Sequence, residues 1–329
     1  MIRRVTLRSL AKLNLDLRVL HKRADGFHEL RTVFQSITLS DRLIVEYEPS
    51  RRTLIETLVH VDGQKLNIPG NLVTRAAELL LDAMKTKARV RFNLFKNIPM
   101  GGGLGGGSSN AAAVLLALPV LARKRMPLEQ LAEIGAQLGS DVPFFLNGGT
   151  ALALGKGTEI YPLKDVKPEP ILLVVPAVHV STAEAYQKLG RKLTSPETSR
   201  KLNLFQLYVE MLASTGSAKL AGPVSSNDFE PAVFSQFPQL KTIHGKLRSH
   251  APVARMTGSG SALFAIFGSE AEREKAQTDL EKIRMFQKCR VVEASLVSRG
   301  TYQRLWRRQL REHLAPSSSI WPPPSRYAR

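Results

Sequence analysis

The chain has a single cysteine, Cys289, only two tryptophans, and an aromatic content of 6% across 329 residues. One cysteine excludes an internal disulfide framework and fits a reducing cytoplasm, the compartment expected here. No apolar run reaches the length of a membrane span, so no transmembrane helix is expected. Acids are also scarce, 28 against 47 lysines and arginines, which leaves a formal net charge of +19. None occurs before Asp16, which would suit an organellar transit peptide. The same stretch lacks a continuous apolar segment and a small-residue cleavage site, and "VTLRSLAKLNLDLRV" alternates as a strand that starts almost at once.

The positive charge admits three readings: a nucleic-acid binder, an enzyme whose substrates carry phosphates, or a basic proteome. The cations are scattered, with denser patches at 122–126 and 299–313, and few aromatics are interleaved with them. That distribution suits solvated surface better than a platform for stacking nucleic-acid bases.

Strand patterns cover "RRVTLRSLAKLNLDLRVL" and "LRTVFQSITLSDRLIVEYEP", with loop chemistry at "HKRADGFHE" between them. Asn71 can cap a helix whose apolar positions Leu72, Ala76, Leu79 and Leu80 share a face. "ARVRFNLFKNIP" alternates as a strand, a helix runs from Ser108 to about Arg125 with Pro119 expected to bend or interrupt it, and "PLEQLAEIGAQLG" is a further helix. "DVPFFLNGGTALALGKGTEIYPL" reads as a turn and a hairpin, and "NDFEPAVFSQFPQLKTIHGKLRS" holds one helix. Strands and helices mix without regular βαβ alternation, so the fold class is α+β in two domains, 1–163 and 164–298. Residues 299–329 are expected to be a basic tail, partly disordered where proline and serine dominate.

Six glycines fall within positions 101–107, immediately before a good helix former. Gly102 and Gly107 have the spacing of a P-loop, but Ser108 stands where its lysine belongs. Gly101, Gly103 and Gly106 meet the dinucleotide pattern, yet Pro99 precedes the turn and the region that needs an acid reads "ARKRMP". A linker is a poor fit between a strand and a helix. A backbone nest at a helix N-terminus remains, with Ser108 and Ser109 in its first turn and Lys96 near in sequence, and it predicts a bound polyphosphate.

"PMGGGLGGGSSNAA" resembles the phosphate loop of the GHMP kinases, which include galactokinase, homoserine kinase and mevalonate kinase. "AKLNLDL", "RADGFHEL", "LGSDVPFFLNGGTALALGKGTEI", "NDFEP" and "MTGSGSALFAIF" resemble the branch whose acceptor is a cytidine diphosphate sugar alcohol of the non-mevalonate isoprenoid precursor pathway. The resemblance spans roughly residues 5–300, with the motifs in family order. It implies an N-terminal half like a ribosomal-protein domain, a C-terminal ferredoxin-like α/β sandwich, ATP with Mg²⁺, no obligatory nucleic-acid or membrane partner, and a monomer or weak homodimer. It makes Asp141 the general base that accepts the substrate's hydroxyl proton, and Lys12 its partner at the transferring phosphoryl group. Read without it, Asp141 is an N-cap and Lys12 a snorkelling edge lysine.

By the same resemblance Lys65, Leu66 and Asn71 line the adenine pocket, and Lys96, Pro99, Met100, Gly101, Gly102, Gly103, Leu104, Gly105, Gly106, Gly107, Ser108 and Ser109 hold the phosphates. Asn14 orients the acceptor hydroxyl. Phe27, where the family commonly has tyrosine, stacks on the cytosine while His28 meets its edge, and Tyr186 offers the opposite face. Thr257, Gly258 and Ser259 form a substrate-binding turn beside the phosphate loop; the family turn usually begins with serine. Asp228 reads as a helix cap, and no carboxylate cluster marks a dedicated metal site. The enzymatic alternative is a homoserine- or mevalonate-type kinase, which should lack the "RADGFH" element. The alternative from another class is a basic nucleic-acid-binding protein.

Overall fold

The computed structural model describes residues 1–189, 196–315 and 320–326. Two long strands, β1 (Arg3–Lys22) and β2 (His28–Pro49), pair antiparallel from Arg3↔Tyr47 to Lys22↔His28, with irregularities between Leu10 and Lys12, Asn14 and Asp16, and Val19 and Lys22. β1 alternates buried and exposed only at its start; from Ser9 to Leu20 every residue is buried. Burial on both faces means that something covers each side of the strand.

One cover is the first half of the chain. β3 (Leu54–Val61), β4 (Gln64–Leu66), β5 (Ala88–Lys96), β6 (Thr150–Gly155) and β7 (Glu159–Pro162) extend the sheet in the order β4-β3-β5-β2-β6-β7, with β1 on β2. The single parallel pairing in this sheet, β3 with β5, is bridged by α1 (Leu72–Ala83), as a parallel crossover requires. α2 (Gly106–Ala122) is buried continuously from Ser109 to Leu121, so it is a central helix, apolar all round. Pro119 sits in its last turn and the helix ends three residues later, with Arg123 left-handed. α3 (Leu128–Leu138) and α4 (Val142–Asn147) complete the layer; α4 is a short helix where a turn was expected.

The other cover is the second half. β8 (Pro170–Pro176), β9 (Val253–Met256), β10 (Leu263–Ile266) and β11 (Cys289–Ser295) form an antiparallel sheet in the order β11-β8-β10-β9. It packs with α5 (Thr182–Leu189), α6 (Pro196–Thr215), α7 (Ala218–Ala221), α8 (Glu230–Gln236), α9 (Pro238–Arg248) and α10 (Glu270–Glu281). The single helix expected over this last stretch before β9 is two, because Pro238 cannot continue α8 and instead opens α9.

The two halves share packing. Ala11, Leu13, Leu15, Val33 and Ile37 join one cluster with Ile171, Leu173, Phe205 and Tyr208. β1 is also stitched to the second half by hydrogen bonds: Leu17 N donates to Ser226 O at 2.8 Å, and Arg18 donates to Val224 O at 3.0 Å. The expected basic tail needs correction. Residues 299–310 form α11 (Arg299–Leu310), whose Tyr302, Trp306 and Leu310 are buried in the core of the first half. Spacings of four place these three on one helical face, and their apolar area outweighs the surrounding charge. Among the described residues no helix is long and apolar enough to cross a membrane.

Candidate active site

β5 delivers the chain to the glycines and α2 leaves them. Gly103 (φ +75°) and Gly105 (φ +69°) occupy the left-handed region. A Cβ on Gly103 would lie 2.2 Å from the Thr257 carbonyl oxygen, and one on Gly105 would lie 2.9 Å from the Phe145 ring. Bare backbone is therefore required at both positions. The first N–H groups of α2 have no partner within the helix and add its positive dipole end. They border a cleft of about 440 Å³ lined by Asn71, Lys96, Pro99, Met100, Gly101 to Gly107 and Ser108. This cradle fits a polyphosphate.

The two serines divide. Ser108 lines the cleft, whereas Ser109 is buried and its Oγ donates to Leu10 O at 2.6 Å. Asn71 caps α1, its Oδ1 accepting from Val73 N at 2.9 Å, and also lines the cleft. Lys65 and Leu66 are exposed on β4, outside the cleft lining. Lys96 forms an ion pair with buried Asp41, whose carboxylate also accepts from Asn97 N and Ile98 N at 2.7 Å each and from Asn110 Nδ2 at 2.9 Å. Asp41 thus ties β2 to both ends of the glycine loop. Nothing local in the sequence marked it.

A second cleft, about 890 Å³, is lined by Lys12, Asn14, Asp141, Phe27, His28, Tyr186, Gly258 and Ser259, among others, and Gly103 lines both clefts. Lys12 is 3% exposed. A buried cation needs compensation. Its Nζ stands 3.3 Å from Asp141 Oδ2, donates to Asn14 Oδ1 at 2.6 Å and lies 5.0 Å from the Phe34 ring centre. Asp141 occupies the N-cap position of α4, but its side chain makes no capping bond and its carboxylate borders the cleft instead.

Asn14 is fixed on both sides. Its amide nitrogen donates to Thr32 Oγ1 at 2.8 Å, and its backbone N–H to Thr257 Oγ1 at 3.0 Å. Thr257 is buried outside the cleft lining, and its hydroxyl donates to Gly103 O at 3.3 Å, joining its turn to the phosphate loop. Asn227 holds this turn by donating to Met256 O at 2.7 Å and Gly258 O at 2.8 Å. Asn227 also accepts from Phe229 N in the turn ahead of α8, whose cap position, Phe229, has no side-chain capping bond, so Asp228 is not the helix cap it was read as. Asp228 instead accepts from Val19 N and pairs with Lys201.

At the far end His28 stacks on Tyr186, with ring centres 4.6 Å apart, and Tyr186 meets Phe229 edge-on. The Tyr186 face is thus turned to His28 and not across to Phe27, which is 52% exposed at the rim. Lys22 and Lys156 also line this cleft, two cations for which the sequence offered no motif. Burial, with smaller contributions from Lys22 and His21, holds His28 below the usual histidine range. Burial and then the Asp141 charge push the Tyr186 phenol up to about 12, so it stays protonated.

The GHMP kinases N terminal domain family matches residues 71–149, and the GHMP kinases C terminal family matches residues 210–284. The 4-diphosphocytidyl-2-C-methyl-D-erythritol kinase of Solibacter usitatus (strain Ellin6076) is 48% identical over 326 residues, covering 99% of this chain and 98% of the relative. That of Thermotoga maritima is 38% identical over 259 residues, covering 79% and 90%. A crystal structure of 4-(cytidine 5'-diphospho)-2C-methyl-D-erythritol kinase aligns with a TM-score of 0.70 at 33% identity, covering 88% of this chain and 98% of that one. A homoserine kinase from Cytophaga hutchinsonii also reaches 0.70, at 18% identity with 90% and 95% covered, which shows the shared fold alone. With the glycine cradle and the Lys12–Asp141 pair meeting at Gly103, and relatives matched along nearly the whole chain, the protein belongs to the 4-diphosphocytidyl-2-C-methyl-D-erythritol kinases of the GHMP kinase family.

Proposed function

We propose that the chain phosphorylates the C2 hydroxyl of 4-diphosphocytidyl-2-C-methyl-D-erythritol at the expense of ATP. The observation that carries this reading is the contact of Lys12 Nζ with Asp141 Oδ2 at 3.3 Å, in the cleft that meets the glycine cradle at Gly103. The loop N–H groups and the α2 N-terminus would hold the phosphates. Bound Mg-ATP supplies the phosphoryl group, with the metal offsetting phosphate charge. Among the described residues no group of three His, Cys, Asp or Glu is placed to hold a metal ion. Ser108, which faces the cleft, is the hydroxyl positioned to contribute a ligand.

Asp141 Oδ2 accepts the proton of the acceptor hydroxyl as its oxygen attacks, and Asn14 orients that hydroxyl. Lys12, held by Asp141 and Asn14, places a fixed positive charge where negative charge accumulates, which requires no reorganisation during the step. Phe27 and His28 receive the base, and Lys22 and Lys156 are the cations placed for the diphosphate. Incubation with Mg-ATP and a panel of alcohols tests the reading: the cytidine diphosphate sugar alcohol should be strongly preferred. Preference for homoserine or mevalonate would remove the acceptor assignment while leaving a kinase.

A further inference from the structure

A third cleft, of about 470 Å³, lies in the second half between the end of β8, α9 and the segment joining α10 to β11. Its wall is hydrocarbon from Pro176, Val178, Ile243 and Met285, with Cys289 alongside. Arg284 and Lys288 also line it, both are exposed, and neither has an acid partner among the described residues. Of the cations nearby, Arg273 pairs with Glu270 and Glu293, and Lys282 with Asp279, whereas Lys241 and Lys246 on α9 and Arg290 on β11 have no acid partner among the described residues. Among these cations, Arg284 and Lys288 are the two that line the cleft.

An apolar slot rimmed by two uncompensated cations is complementary to a molecule with a hydrocarbon body and an anionic head. The body removes apolar wall from water, and the head gains charge-assisted hydrogen bonds. We propose that this cleft binds an anionic amphiphile, a short hydrocarbon chain ending in a phosphate or carboxylate, and that its occupancy is linked to the two catalytic clefts.

The link is the segment 176–182. Pro176 and Val178 line the third cleft. The His179 ring lies 3.4 Å from where a Cβ of Gly101 would stand. Thr182 lines the acceptor cleft, and its hydroxyl is 2.8 Å from that of Ser259. A ligand that favours one position of this segment changes the affinity of the clefts it adjoins, and linkage makes that effect reciprocal.

Cys289, the chain's single cysteine, reports occupancy directly. The full-length protein is alkylated with a maleimide at pH 8.5, because burial pushes this thiol up, and labelling is followed by mass spectrometry. Decyl phosphate below its micelle concentration should slow labelling, with decanol and inorganic phosphate at least about tenfold less effective. The double variant Arg284→Gln with Lys288→Gln should weaken protection about tenfold and leave basal turnover unchanged. Calorimetric titration of decyl phosphate runs in parallel, so a slow thiol does not leave the matter open.

Absence of both protection and heat overturns the site, and equal protection by decanol overturns its anionic specificity. Protection by vesicles of phosphatidylcholine and phosphatidylglycerol, without protection by decyl phosphate, would make this face a membrane surface and sink the proposal. Linkage is read as a shift of the KM for ATP by about threefold or more at saturating decyl phosphate, and an unchanged KM overturns it. Alkylation and calorimetry do not depend on the kinase reading, so the two can fail separately.

Discussion

The cleft proposed for the nucleotide is built largely from backbone, and the one proposed for the acceptor from side chains. Ten of the residues around the first are consecutive, Pro99 to Ser108, and their contribution is mainly conformation and N–H groups. The second gathers Lys12 and Asn14 from β1, Phe27 and His28 at the start of β2, and Asp141, Lys156, Tyr186 and Ser259 from four further places in the chain. The backbone cradle excludes an added Cβ where the chain is left-handed and crowded, at Gly103 and Gly105. A side-chain cleft depends on each group in its own way, so its residues should separate in kinetics.

Asp141→Asn should have the largest effect on that comparison. It should lower kcat by about 10²–10⁴-fold with little change in the KM for ATP, and near-normal kcat would remove the general-base role. Gly103→Ala touches both clefts at once. The added methyl meets the Thr257 carbonyl in a left-handed backbone, so both KM values should rise and urea denaturation should show a loss of about 1–3 kcal/mol. A change confined to one substrate would break the idea that this residue is the seam.

Phe27→Ala should raise the KM for the acceptor about tenfold and leave that for ATP alone, since stacking on a base contributes about 1–3 kcal/mol. An unchanged acceptor KM dismisses the stack. His28 gives a smaller, pH-dependent signature. Its proton affinity is held down, so the neutral ring persists to lower pH than in free histidine. The acceptor KM should therefore be flat through neutral pH and rise only on further acidification, and His28→Gln should abolish that rise. Lys65→Ala should change the KM for ATP by less than about twofold, because Lys65 is exposed outside the cleft lining. A larger effect would extend the nucleotide cleft across β4.

The same contrast decided what could be read from the sequence. The glycine loop was legible because its physics is local: six glycines before a helix have few uses. Asn71 as a cap and the strand character of β1 were legible for the same reason. Asp41 was not, because its partner Lys96 lies 55 residues away and an acid inside a long strand carries no local signature. The His28–Tyr186 stack likewise depends on α5 being folded against the first hairpin. α11 was missed for a different reason. Its Tyr302, Trp306 and Leu310 recur every four residues, but the surrounding arginines drew the reading toward a solvated tail. Two halves were expected from the mixed pattern of elements, but the continuous burial of β1 between them required the packed structure.

The return of α11 to the first half has a consequence for the order in which the molecule can be made. Tyr302, Trp306 and Leu310 are added late to a cluster that begins with Val5 and Leu7, and Leu314 and Trp321 pack against it after them. Until they leave the ribosome, the surface they cover stays open to water and to other nascent chains. β1, emerging first, also waits for β8 and α6 to cover its second face. The amino-terminal half therefore cannot finish folding while the carboxyl-terminal half is still being translated, and a chain released before residue 302 would present an unfinished hydrophobic surface to the chaperones.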